Sequence, residues 1–179
     1  MQPAVMLLIR GVMSINPAVG YATTMLDQFL PQRVDNTYRG YRLALWLFAM
    51  VVVMKVAMSL NSIFNGYMVA SSADGIPLDT FPSAAAQTVV SLFAVWGLAH
   101  LMICLLCILV LARYRSMAPL MLALLLLEHL SRRLILQLLP IVRTGTPPGF
   151  FVNLVLLALM IAGLALSLRS QSNPRVKEL

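Results

Sequence analysis

The sequence predicts an all-α integral membrane protein, a bundle of four transmembrane helices with its N and C termini in the cytoplasm. The composition points to this class, because 60% of the 179 residues are hydrophobic and 11% are charged, whereas soluble domains carry about 25% charged residues. The apolar residues are also grouped into runs of the roughly 20 residues that a membrane-spanning helix needs. Together these observations exclude an ordinary soluble domain.

Four apolar runs divide the chain. The predicted spans are residues 43–64, 84–112, 117–142 and 150–168. They separate a cytoplasmic N-terminal segment (1–41), a membrane domain (42–168) and a cytoplasmic tail (169–179). The N-terminal segment is too mixed in polarity to span, and its Asn16–Pro17 pair is typical of a helix start. We therefore expect a short helix there, lying on the membrane surface.

Basic residues set the predicted orientation. They flank the spans at the ends assigned to the cytoplasm: Arg33, Arg39 and Arg42, then Arg113 and Arg115, then Arg169, Arg175 and Lys177. The loop at 65–83 contains no Lys or Arg and carries Asp74 and Asp79, while Arg143 stands alone between the last two spans. This bias predicts a cytoplasmic location for both termini.

The net charge of +7 is explained by these flanking residues, whose partners are lipid headgroups rather than nucleic acid. Arginine outnumbers lysine strongly among the cations, as is typical of GC-rich bacterial genomes. The predicted location is the inner membrane of a bacterium, as a multi-pass protein.

Polar residues at membrane depth form the candidate site. Lys55 lies 13 residues beyond Arg42, hence roughly 20 Å along the first span, since each helical residue rises by 1.5 Å. His100 and His129 both lie roughly 18 Å from the same side of the membrane by this measure, and Glu128 is one residue lower. Ionisable groups near the bilayer middle are costly and are candidates for function.

Helical phase indicates which residues face inward. On the third span Glu128, His129, Arg132, Arg133 and Gln137 share one half of the helix, and leucines occupy the other. On the first span Ser59 and Ser62 share the face of Lys55. The predicted intramembrane polar cluster is Lys55, His100, Glu128, His129, Arg132 and Arg133, supported by Ser59, Ser62 and Gln137. The fourth span is expected to be a scaffold.

The cluster has more positive than negative charge. Glu128 is expected to pair with Arg132 on its own helix or with Lys55 across the bundle. Arg133 is rather deep for its side chain to extend to the interface, and arginine does not lose its proton. A counter-anion is therefore needed, such as a lipid phosphate, a small anionic ligand or an acid from a partner subunit.

The leading hypothesis is a protein without enzymatic activity, surrounded by lipid, whose cluster binds an anionic group or a partner subunit in a homo-oligomer or larger complex. The cluster can also be purely structural, fixing the packing of the helices. A small transporter or proton-relay component is the alternative, because Lys, His and Glu are the residue types that proton relays use.

A haem- or quinone-linked redox subunit is the second alternative. His100 and His129 lie at equal depth and could ligate haem b, but helices joined by a short loop normally pack 8–10 Å apart, which leaves no space for it. The pair Cys104 and Cys107 is similar to the CxxC motif of membrane thiol oxidoreductases that use quinones, which need a second cysteine pair. We therefore expect no cofactor and no bound metal.

Overall fold

The computed structural model describes residues 36, 38 and 40–169 of the chain. The predicted surface helix of the N-terminal segment and the cations at positions 33, 39, 175 and 177 lie outside the described residues. All regular secondary structure in the described part is helical. The all-α prediction is confirmed for this part of the chain.

Four long helices correspond to the four apolar runs: α1 (Arg42–Phe64), α2 (Ser83–Arg113), α3 (Ala118–Leu138) and α4 (Pro148–Leu168). Three of them, α1, α2 and α4, are long and apolar enough to cross a membrane. The remaining helix, α3, has 21 residues but is more polar, because it carries Glu128, Arg132 and Arg133.

Helix α3 is shorter than the sequence predicts, since it ends at Leu138 rather than Val142. Pro140 explains the difference: it disfavours the α conformation in the residue before it and has no N–H to continue the helix. Arg132 and Arg133 consequently lie only about 8–9 Å from the end of the helix. The earlier end brings Arg133 closer to the end of its helix than the sequence predicts.

The spatial order of the helices differs from their order in the chain. Helix α1 packs along both α2 and α4, and α3 packs mainly against α4. Helices α2 and α3 are joined by a short turn but have few contacts with each other. Tyr38 donates a 2.9 Å hydrogen bond to Ser167 Oγ, which ties the start of α1 to the end of α4.

An apolar layer fills the half of the bundle that contains the start of α1 and the end of α2. Its largest side chains come from all four helices and are less than 2% exposed: Phe48, Val51, Cys104, Cys107, Leu122, Leu125, Leu156 and Met160. The two cysteines are free thiols packed in this layer. Van der Waals packing of this kind holds helices together where lipid replaces water.

Two loops that are hydrogen-bonded to each other close the other end of the bundle. After α1, a helical turn (Gly66–Met68) leads into a π-helical turn (Val69–Ala73). Gly75 adopts a φ of +72°, which glycine tolerates without strain, and its carbonyl oxygen accepts a 2.9 Å hydrogen bond from Thr144 N–H in the loop before α4. The loop that follows α1 is thereby fixed against the loop that follows α3.

Gly97 lies where α2 approaches α1 most closely, because a Cβ there would be 2.9 Å from both Ser59 O and Ser62 Cβ. Gly97→Ala is expected to push the helices apart and to destabilise the fold by about 1–3 kcal/mol. Gly163→Ala is the matched control, since its Cβ would have ordinary contacts of 3.6 Å. SDS-unfolding titrations in detergent measure both, and equal losses would contradict this explanation.

Candidate functional site

The centre of the site is an ion pair between α1 and α3. Lys55 Nζ donates hydrogen bonds to Glu128 Oε2 at 3.1 Å and to His100 Nε2 at 3.0 Å. Lys55 is 3% exposed, so its ammonium depends on these partners in place of water. Because Nε2 of His100 accepts, Nδ1 carries the proton of the neutral ring, and it faces Glu128 Oε1 at 4.0 Å.

The neighbouring residues of α1 and α2 hold this ion pair in place. Ser59 Oγ donates a 2.8 Å hydrogen bond to the carbonyl oxygen of Lys55. Ser59 and Ser62 are both buried, and the absence of a side chain at Gly97 lets α2 approach them. Of the two partners expected for Glu128, the structure therefore selects Lys55 across the bundle.

Arg132 has partners that the sequence did not indicate. Its Nη2 donates a 2.8 Å hydrogen bond to Asn153 Oδ1 on α4, and its guanidinium lies 5.1 Å from the centre of the Trp96 ring on α2. Arg132 thus bridges the gap between α2 and α4. Helix α4 is not merely a scaffold, because Asn153 supplies the hydrogen-bond acceptor.

The remaining predicted residues lie apart from the ion pair. His129 is 2% exposed, and its buried Nδ1 has no hydrogen-bond partner among the residues that the structure describes. Arg133 lies over the Phe150 ring at 5.8 Å, and Gln137 is exposed. The structure therefore divides the predicted cluster into two groups, one around Lys55 and one around the two arginines.

Two adjoining cavities surround Arg132. The central cavity, of about 210 Å³, extends from Lys55 and His100 to the loops that close the bundle, between α1, α2 and α4. The side cavity, of about 440 Å³, lies between α2, α3 and α4 and is lined by Arg132, Arg133 and Arg143. Both cavities are lined by Asp74, Trp96, Arg132 and Asn153, which form the partition between them.

Asp74 belongs to the candidate site, although its position in the sequence did not indicate this. It was noted only as an acid in the loop after α1, yet the π-helical turn places it at both cavities. Burial raises the pKa of the Asp74 carboxyl above its ordinary value, and the guanidiniums of Arg143 and Arg132 oppose this shift. One feature of the sequence could have indicated this position. Asp74 lies in a loop that contains no Lys or Arg, so a cationic partner had to come from another part of the chain.

The space between α2 and α3 is larger than their short connection predicts. The close packing expected of α2 and α3 is not observed, because these helices have few contacts and the side cavity lies between α2, α3 and α4. However, both ring nitrogens of His100 are directed at the ion pair, one at Lys55 and one at Glu128. Ligation of haem by His100 and His129 would have to break this arrangement.

The arrangement as a whole can hold an anion. Three guanidiniums and one carboxylate line the side cavity, and guanidinium groups bind carboxylate and phosphate oxygens in pairs. Comparisons of the chain with known protein families, with curated proteins and with solved structures found no significant match.

Proposed function

We propose that the chain is a four-span protein of the bacterial inner membrane with both termini in the cytoplasm. The grouping of cations supports this topology: Arg42, Arg113, Arg115 and Arg169 lie at one end of the bundle, where Tyr38 meets Ser167. The loop that follows α1 lies at the other end of the bundle and carries Asp74 and Asp79. Helix α3 then spans with its charged side turned towards α1 and α4, which relieves the cost of charge in lipid.

The proposed function is binding of an anionic group in the side cavity, without chemical conversion. The observation that carries this proposal is the convergence of Arg132, Arg133 and Arg143 on one cavity in which Asp74 is the only acid among the lining residues. The formal charge of this lining is +2. The site thus supplies positive charge beside apolar walls, and an anion would be held there by charge-assisted hydrogen bonds.

Binding of a small alkyl sulfonate to the purified full-length protein in zwitterionic nanodiscs tests the proposal. Arg133→Gln and Arg143→Gln are each expected to weaken binding several-fold, because each removes one guanidinium from the cavity. Arg115→Gln is the matched control, since Arg115 lies at the opposite end of the bundle and its Nε donates to the carbonyl oxygen of Leu111. Equal effects of all three substitutions would refute a specific site.

A proton relay is the second candidate, and one observation favours it. Titratable groups follow one another from Asp74 through the central cavity to Lys55 and His100, and the apolar layer lies beyond them. A relay requires proton movement, so a pH-sensitive dye inside proteoliposomes would report it. Proton flux equal to that of empty liposomes, under an imposed pH gradient, would exclude this candidate.

A further inference from the structure

The side cavity is bounded by both apolar and charged groups, in separate places. Phe93 and Trp96 on α2 and Phe150 and Leu154 on α4 provide apolar walls. The cations lie towards the end of the bundle that the loops close, where α3 ends at Leu138. A ligand that matches both regions has an anionic head and an apolar body.

The gap between α2 and α3 offers a route from the bilayer into this cavity. These two helices have few contacts along their length, and Trp96 in the cavity wall is still 38% exposed. A cavity of about 440 Å³ holds a head group and the first part of a chain, and the rest of the chain can remain in the lipid. Entry from the side requires no passage through water.

Two features of the polar end specify the head group. The lining charge of +2, from three arginines and Asp74, is neutralised by a dianion and only half neutralised by a carboxylate or a phosphodiester. The three guanidiniums also carry several N–H donors each, which the oxygens of a head group can accept. A phosphate monoester has both the two charges and the oxygens to use these donors.

We propose that the side cavity binds an amphiphile with a phosphate monoester head group, which enters from the bilayer between α2 and α3. This inference rests on the proposed anion site and specifies its ligand class. The head group lies between Arg132, Arg133 and Arg143, and the chain lies against the aromatic walls formed by Phe93 and Trp96. Inorganic phosphate shares the head-group chemistry but lacks the chain.

The chain contains two tryptophans, and this allows a direct test. Trp46 is 75% exposed on α1, so Trp46→Phe leaves Trp96 in the cavity wall as the only tryptophan. Lipids brominated near the head-group end of the chain quench tryptophan on contact. The full-length Trp46→Phe protein in zwitterionic nanodiscs is titrated with a brominated phosphate monoester lipid and, separately, with its methyl phosphodiester.

Quenching by the monoester is expected to saturate at a mole fraction at least tenfold lower than for the diester. In an Arg143→Gln background the lining charge falls to +1, so this preference should fall several-fold. Equal quenching by monoester, diester and a zwitterionic brominated lipid would overturn the proposal, because it would report only ordinary contact with surrounding lipid.

Soluble competitors distinguish the two sources of phosphate. Inorganic phosphate and glycerol phosphate are expected to displace the brominated monoester only at concentrations at least a hundredfold higher than an unlabelled lipid monoester. If inorganic phosphate displaces it as effectively as the lipid does, the amphiphile proposal fails and anion binding stands. If neither phosphate nor sulfonate binds, both the inference and the proposed function fail.

Discussion

Replacement of Lys55 by methionine is expected to lower the free energy of unfolding by about 3–5 kcal/mol, the cost of removing one partner from a buried ion pair. Methionine fills a similar volume but leaves the Glu128 carboxylate without the donor that lies 3.1 Å away. It also removes the donor to His100 Nε2. SDS-unfolding titration of the purified protein in detergent measures the loss.

Two further variants separate loss of charge pairing from loss of packing. Met54→Leu is the matched control one position away, in a side chain that packs against the apolar layer, and volume-conserving swaps of this kind cost less than about 1.5 kcal/mol. Lys55→Met combined with Glu128→Gln removes the unpaired charge and should recover most of the stability. A double variant no more stable than Lys55→Met would show that the ion pair is not the cause.

The inward faces of α1 and α2 could be predicted because helical spacing alone determines them. Lys55, Ser59 and Ser62 repeat at steps of four and three residues, and the structure buries all three. The spacing of Gly97 and Cys104 on α2 follows the same rule, and both are buried as well. These features depend on one helix at a time, so the sequence contains all the information that is needed.

Contacts between helices could not be predicted in the same way. The sequence predicted a polar cluster built by the first three helices at one depth, whereas in the structure α2 and α3 have few contacts and α3 packs mainly against α4. This order decides that Arg132 meets Asn153 and Trp96 and that a cavity opens beside it. The spatial order of the helices depends on which helix faces pack together best. The helical period of a single segment contains no information about this.

Within the part of the chain that the structure describes, acidic side chains balance only part of the positive charge of the cluster. Glu128 neutralises Lys55, and Asp74 faces the arginines from a loop rather than from a helix. Its position follows from the π-helical turn Val69–Ala73, a rare conformation that occurs frequently at functional sites and that no residue pattern predicts. The charge that Asp74 leaves unbalanced is the physical basis of the proposed anion site.

Asp74→Asn is expected to strengthen binding of octanesulfonate, which keeps its charge at all relevant pH values, about tenfold near pH 7.5. Removal of one negative charge beside the ligand changes the binding energy by the order of 1–2 kcal/mol at a partly buried position. Asp79→Asn is the matched control, because this exposed acid of the same loop bonds to Tyr67 and lies outside both cavities. Its effect should be less than twofold.

The pH dependence of sulfonate binding is an independent test of the role of Asp74. Because burial raises the pKa of Asp74, its carboxyl takes up a proton above the ordinary value of 3.8 as the pH falls from neutrality. The lining charge of the side cavity then rises by one, so binding of the sulfonate by the unmodified protein should strengthen on acidification. The groups around Asp74 are Arg143 from the loop before α4, Arg132 and His129 from α3, and Lys55 and His100 across the central cavity.

In Asp74→Asn this contribution is absent, so binding should be strong already at neutral pH and should change less with pH, the remaining dependence coming from the histidines. By linkage, the bound sulfonate should in turn favour protonation of Asp74 in the unmodified protein. Proton uptake on binding, measured by calorimetry in two buffers of different ionisation enthalpy, reports this directly. If Asp74→Asn retains the full pH dependence and proton uptake of the unmodified protein, Asp74 does not control the anion affinity of the side cavity.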